Sequence, residues 1–227
     1  MKRIGLLGGT SWPSTIEYYR LLNEEAQAYF GAGHSAKLLL WSIDYFEIKQ
    51  HYPNGWHEIN AVLQRELTSL NALEPDCIVI CNNTLHESYD AIKSKLSLDV
   101  PVIHMADLTV KYVSDFGCQH VLLLGTQYTM ECGYYEDKLV KNGIKVTIPE
   151  LDDRLSIQSM QQSIAKGDST QGFAEAFQVI LSKHAGCDAI ITACTELPLI
   201  VTSEITELKI IDPLKIQCSA AFEYAIS

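Results

Sequence analysis

Ile4-Gly-Leu-Leu-Gly8-Gly9-Thr10-Ser11 decides the fold: a short apolar run closes on a glycine turn and opens directly into a helical pattern. The same shape recurs along the chain. Short runs rich in Ile, Val and Leu lie at 4–7, 37–43, 77–81, 100–104, 120–124, 145–148, 189–192 and 209–211. Continuous apolar runs of this length suit strands buried on both faces of a parallel sheet. Helical patterns fill the intervals, at 14–30, 56–73 and 173–184. Ser14-Thr-Ile-Glu17 reads as a capping box for the first of them, and Gly31 as its stop. Strand alternating with helix predicts an α/β protein.

The two halves echo each other. Ile4-Gly-Leu-Leu-Gly8-Gly9-Thr10 resembles Val121-Leu-Leu-Leu-Gly125-Thr126, and Ile78-Val-Ile-Cys-Asn-Asn-Thr84 resembles Ile190-Ile-Thr-Ala-Cys194-Thr195-Glu196. A duplicated α/β domain is the simplest account, although strand-plus-turn patterns repeat in many α/β proteins. Two domains are expected, one over 1–98 plus 207–227 and one over 99–206. They would face each other across a cleft lined by the carboxyl ends of strands, where open α/β sheets bind ligands.

The chain has 227 residues, 47% of them hydrophobic and 20% charged, enough to bury a core and unlike a disordered sequence. Its 28 acidic residues against 17 basic ones give a formal charge of −11. That balance argues against nucleic acid and anionic membranes as partners, which select concentrated Lys and Arg. No run approaches the roughly 18 apolar residues of a membrane span. The apolar run after Met1-Lys-Arg3 is too short for a signal peptide and reads as a first strand. Seven cysteines, with no CxxC pair, suggest neither a disulfide framework nor a zinc site. A reducing, cytoplasmic setting is expected.

Three turns carry candidate chemistry. The loop Gly8-Gly9-Thr10-Ser11 lies where backbone amides meet anions, and it is either a site for a small carboxylate or phosphate or a plain tight turn. It is neither a dinucleotide fingerprint nor a P-loop, because Gly5 and Gly8 are three apart and no Gly-Lys-Ser/Thr comes after them. Asn82-Asn83-Thr84-Leu85-His86 succeeds an apolar strand and offers neutral donors for a carboxylate, or else an Asx turn capping the next helix. Cys194 ends the equivalent strand of the second half. There a thiolate is stabilised by amides and a helix dipole if it is exposed, and is inert if it is buried.

These residues carry a family resemblance. The loop with Trp12 and Ser14-Thr-Ile-Glu-Tyr-Tyr-Arg-Leu-Leu-Asn23, the Asn83–His86 turn, Leu124-Gly-Thr-Gln-Tyr-Thr-Met130 and Cys194-Thr-Glu196 resemble the aspartate/glutamate racemase family, in order and over essentially the whole chain. The resemblance implies two Rossmann-like domains with parallel sheets related by pseudo-twofold symmetry, an active site in the interdomain cleft, and usually a homodimer. It further implies no cofactor, pyridoxal phosphate included. Racemases of the family use two cysteines on opposite faces of the substrate Cα, one removing and one returning a proton.

The sequence departs from that pattern at the first cysteine. The family motif Cys-Asn-Thr-x-His places cysteine four residues before histidine, and here that position is Asn82, with Cys81 one residue early. In one reading Asn82 fills the slot and Cys194 is the only cysteine base; in the other the turn holds an extra residue and Cys81 reaches the substrate. An amide is no base near neutral pH, so the first reading takes the return proton from water or from a relay through Cys81 or His86. The resemblance makes Thr10, Ser11, Asn83, Thr84, Thr126 and Thr195 the substrate-binding set. Lys166 is a candidate for the distal carboxylate, or a surface lysine before Gly167. The expected reaction is racemisation of aspartate or glutamate. A carboxylate-binding protein and a single-cysteine decarboxylase are the competing readings.

Overall fold

Residues 1–165 and 172–227 are described by the structure, a computed structural model. The chain divides into two compact units, Met1–Met105 with Gln217–Ser227, and Ala106–Ile216. The first begins with β1 (Ile4–Gly8), α1 (Trp12–Phe30), β2 (Leu38–Ser42), α2 (Phe46–Lys49), α3 (Trp56–Asn71), β3 (Cys77–Ile80) and α4 (Leu85–Ile92). The chain continues through α5 (Met105–Asp115), β4 (His120–Gly125), α6 (Gln127–Glu131), α7 (Tyr134–Lys141), β5 (Lys145–Thr147), α8 (Leu151–Ala165), α9 (Phe173–Ser182), β6 (Ala189–Ala193), β7 (Lys209–Ile211) and α10 (Pro213–Ile226). From Gln217 onward α10 belongs to the first unit.

Both sheets are parallel, as the strand–helix alternation predicts. The first has the order β2-β1-β3, with Ile4 opposite Leu38 and Cys77. The second has the order β5-β4-β6-β7, with Val121 opposite Ala189 and Ile191 opposite Ile211. The apolar run at 100–104 forms a single bridge, Val102 to Ile78, rather than a strand. Pro101 has no N–H to extend a ladder, which confines it to a sheet margin. Its position after 206 assigns the strand at 209–211 to the first domain, and the structure corrects this. The strand pairs with β6, because Ile210 and Ile211 extend the apolar register of Ile190 and Ile191.

Alternation along the strands sorts each sheet into two covered faces. In the first unit Leu7, Ile78 and Ile80 share a cluster with Ile59, Leu63, Leu67 and Leu70, the helical stripe of α3. In the second unit Leu122, Leu124 and Ile190 pack with Ile157, Phe177 and Ile180 from α8 and α9. Val121, Leu123, Ala189 and Ile191 turn the other way, toward Val110, Val113 and Leu139 from α5 and α7. Among the described residues no helix is long and apolar enough to cross a membrane.

The start of α1 differs from the capping box expected at Ser14–Glu17. Ser11 is the cap, its side chain accepting from the Ser14 amide at 3.5 Å, and Pro13 occupies the first turn. Proline is favoured there because its missing N–H has no helical partner to lose. Glu17 pairs with Arg20 at 2.7 Å. Gly31 ends the helix with φ +99°, as the sequence predicts.

Leu63 is fully buried, so Leu63→Ala removes a packed side chain and leaves a cavity. Urea denaturation is expected to show a loss of about 2–5 kcal/mol. A change below roughly 1 kcal/mol contradicts the assigned core.

Candidate active site

The carboxyl ends of the parallel strands carry the residues singled out by sequence. At the end of β1 the chain turns tightly beneath β2: Gly8 O accepts from Ile43 N at 3.1 Å, and Gly9 N donates to Thr15 Oγ1 at 3.0 Å. Gly9 has φ +89°, and a Cβ there would lie 2.2 Å from Ile43 O, so only glycine fits. The Gly9 amide is thus satisfied within the loop. Thr10 is buried and donates from Oγ1 to the Cys81 carbonyl at 3.4 Å, tying the β1 turn to the β3 turn. Ser11 is engaged as the cap of α1.

Cys81 and Asn82 sit in different surroundings. Cys81 continues the β3 ladder, its amide donating to Leu7 O at 3.0 Å. Its side chain is fully buried with Sγ 4.0 Å from Val79 O, and that burial pushes the thiol far up. Asn82 is half-buried, and its Oδ1 accepts from the Leu85 amide at 3.0 Å, an Asx turn ahead of α4. Asn83 and Thr84 are also half-buried, and their carbonyls accept from His86 N at 3.2 Å and Glu87 N at 3.1 Å. His86 is fully buried and its Nε2 faces Gln217 Nε2 at 3.3 Å.

In the second unit Gly125 closes β4 against Ala193 and Thr129. Thr126 caps α6, accepting from the Thr129 amide at 3.2 Å, the counterpart of Ser11 in the first unit. At the end of β6, Cys194 is 9% exposed and donates from Sγ to Glu196 Oε2 at 2.8 Å. Thr195 Oγ1 donates to the same oxygen at 2.9 Å. One carboxylate oxygen therefore collects a thiol and a hydroxyl.

That carboxylate corrects the electrostatic reading of Cys194. Burial, then the negative charge of Glu196 and the hydrogen bond to it, push the thiol well above its usual range. The Thr195 and Glu196 amides pull the other way and do not prevail. Beyond β6 the chain enters a short 3-10 turn, Leu197–Leu199, and not an α-helix whose dipole would favour a thiolate. Sequence reasoning gives Glu196 no role of its own. The readable signal is an acidic residue two positions beyond a strand-end cysteine.

Lys166 lies outside the described residues. Three arginines of the described residues are already engaged by carboxylates, Arg20 by Glu17 and Glu24, Arg65 by Glu47 and Glu66, and Arg154 by Glu131 at 2.9 Å. Among the described residues no cluster of His, Cys, Asp or Glu is arranged to hold a metal ion.

Replacing Glu196 by Gln keeps the shape and removes the charge, so the Cys194 thiol is expected to titrate at lower pH. Site-resolved alkylation with mass spectrometry across a pH series measures this. Alkylation of Cys194 that begins at the same or a higher pH in Glu196→Gln contradicts the assigned pair.

Comparison with known proteins agrees across the chain. A sequence profile of the Asp/Glu/Hydantoin racemase family matches residues 7–221. The broad specificity amino-acid racemase RacX of Bacillus subtilis (strain 168) is 25% identical over 225 residues, covering 92% of each chain. A Yersinia pestis crystal structure, provisionally named as an Asp/Glu racemase, is 35% identical with a TM-score of 0.90, covering all of both chains. An aspartate racemase homologue from Pyrococcus horikoshii OT3 is 26% identical with a TM-score of 0.88, again over the full length of both.

Proposed function

The chain belongs to the Asp/Glu/hydantoin racemase family, and on that premise we propose that it is a cofactor-independent amino-acid racemase with Cys194 as its carbon base. The observation that carries this reading is the 2.8 Å contact between Cys194 Sγ and Glu196 Oε2. A thiol is no base until it loses its proton, and Glu196 is placed to take it. The resulting thiolate removes the α-proton of the bound amino acid, and the electron pair passes into the substrate carboxylate. The carbanion is then reprotonated on its other face, which inverts the centre. A raised thiol pKa helps here, because a more basic thiolate abstracts a weakly acidic carbon-bound proton more readily.

The first unit contributes no thiol in this reading. Asn82 occupies the family's slot for the first cysteine, and the buried Cys81 is not used. Water, held by Asn82, returns the proton, and the hydroxide it leaves is neutralised by the proton that Glu196 releases to solvent. Asn83, Thr84, Thr126 and Thr195 hold the substrate carboxylate and amino group, while Thr10 and Ser11 shape the loop behind them. Aspartate and glutamate are the substrates the family suggests, and their distal carboxylate needs a cation. Arg20, Arg65 and Arg154 are occupied by acidic partners. Lys166 stays the candidate for that cation, and the alternative is a wider substrate range, as the name of RacX records for that relative.

Incubation with L- and D-amino acids in D2O, monitored by NMR of the α-proton, tests the reaction. Exchange is expected, and Cys194→Ser is expected to lower it by roughly a thousandfold or more. Cys81→Ser is expected to leave it nearly intact. Binding without exchange for every amino acid tried would falsify the racemase reading in favour of a carboxylate-binding protein. Release of CO2 from a substituted malonate without amino-acid exchange would move the assignment to a decarboxylase.

Asn82→Cys restores the family's first thiol and is expected to raise exchange from the D enantiomer more than from the L. An equal or absent change removes Asn82 from the proposed slot.

A further inference from the structure

Gln217 is a fully buried amide in the part of α10 that belongs to the first unit. Its side chain meets three groups. Nε2 donates to the Ile103 carbonyl at 2.6 Å, Oε1 accepts from Tyr18 Oη at 2.8 Å, and Nε2 lies 3.3 Å from Nε2 of His86. A main-chain carbonyl only accepts, so Ile103 fixes which end of the amide is the NH2 group. The second NH2 hydrogen then points at His86, whose Nε2 must be the unprotonated, accepting nitrogen. A neutral imidazole with an accepting Nε2 carries its proton on Nδ1.

His86 is the second residue of α4 and stands directly behind the Asn82–Thr84 turn. Its own amide donates to Asn83 O at 3.2 Å, and the preceding amide, of Leu85, donates to Asn82 Oδ1 at 3.0 Å. Its ring packs edge-on to His104 with centroids 4.5 Å apart. Beyond it lie Asp90, 3.5 Å from His104 Nε2, and the Tyr89 ring, 5.9 Å from that of His104. The buried histidine and the half-buried polar turn are therefore joined through the main chain at the start of α4.

We propose that Gln217 is a positioning residue: it holds His86 as the neutral Nδ1-protonated tautomer and, through His86, fixes the Asn82–Thr84 turn for the substrate. Tyr18 and Ile103 orient the glutamine, and the glutamine orients the histidine. An Nε2-protonated His86 would set N–H against N–H between two fully buried side chains, an arrangement the amide held by Ile103 and Tyr18 cannot relieve. The kinetic part of this proposal rests on the racemase reading, and the tautomer part does not.

The test uses the full-length protein labelled with 15N. Ring-nitrogen correlations of His86 near neutral pH are expected to place Nε2 at the unprotonated position and Nδ1 at the protonated one. Gln217→Glu keeps the shape but sets an acceptor opposite Nε2, so Nε2 is expected to become protonated. α-Proton exchange is expected to fall roughly tenfold or more as the turn loses its register. A protonated Nε2 in the wild type overturns the proposal, and this spectrum decides even if Gln217→Glu does not fold. Unchanged ring nitrogens in a folded Gln217→Glu, or a switched tautomer with exchange intact, overturn it as well. The expected tautomer in a wild-type protein silent in exchange supports the lock and overturns the proposed reaction, so the two failures are distinguishable.

Discussion

Parallel sheets covered on both faces leave nowhere for polar chemistry except the strand ends. In the second unit Leu122 and Leu124 face one layer of helices and Val121 and Leu123 the other, so β4 beyond His120 is closed to water. The first polar groups arrive where the strands stop, at Gly8–Thr10, Asn82–Thr84, Thr126 and Cys194–Glu196. The cost of burying an unpaired polar group is the reason, and it places these turns at the carboxyl edges of their sheets. The glycines belong to the same constraint. Gly9 lets β1 turn where an added Cβ would lie 2.2 Å from Ile43 O, and Gly125 lets β4 close against Ala193.

Cys194 shows how one neighbour redirects a residue's chemistry. A strand-end thiol backed by amides is commonly read as a ready thiolate. Here the Glu196 carboxylate at 2.8 Å opposes that charge and accepts the hydrogen bond of the thiol. The protonated thiol is thereby favoured over the thiolate. Thr195, bonded to the same oxygen at 2.9 Å, fixes the carboxylate so that the thiol meets a prearranged acceptor.

The α/β class, the parallel sheets and the family are legible in the sequence because they rest on local pattern: apolar runs, glycine turns and a strand-end cysteine. The cap of α1 is not, because Ser11 and Ser14 flank Pro13, and only the backbone of the first turn decides between them. The placement of 209–211 is hidden for another reason: chain position says nothing about the register that joins Ile211 to Ile191. Glu196 is in plain view, but whether a residue two positions beyond a cysteine returns to it depends on how the strand ends. A short 3-10 turn brings it back. Gln217 carries no local signal, since its partners Tyr18, His86 and Ile103 are far away in sequence.

The first unit is built from both ends of the chain. Lys2 N donates to Ala225 O at 2.7 Å, Ser219 Oγ donates to Glu25 at 2.6 Å, and Phe222 sits buried with Tyr29 and Phe30 around it. On the ribosome this reverses the usual order, in which the earliest domain folds first. Residues 1–105 emerge early yet stay without their last helix until the final stretch, 217–227, has been made. Ala106–Ile216 is contiguous and waits for nothing downstream. The part synthesised first is thus the part finished last, and for most of translation the packing of Phe222 on Tyr29 and Phe30 is still to be made.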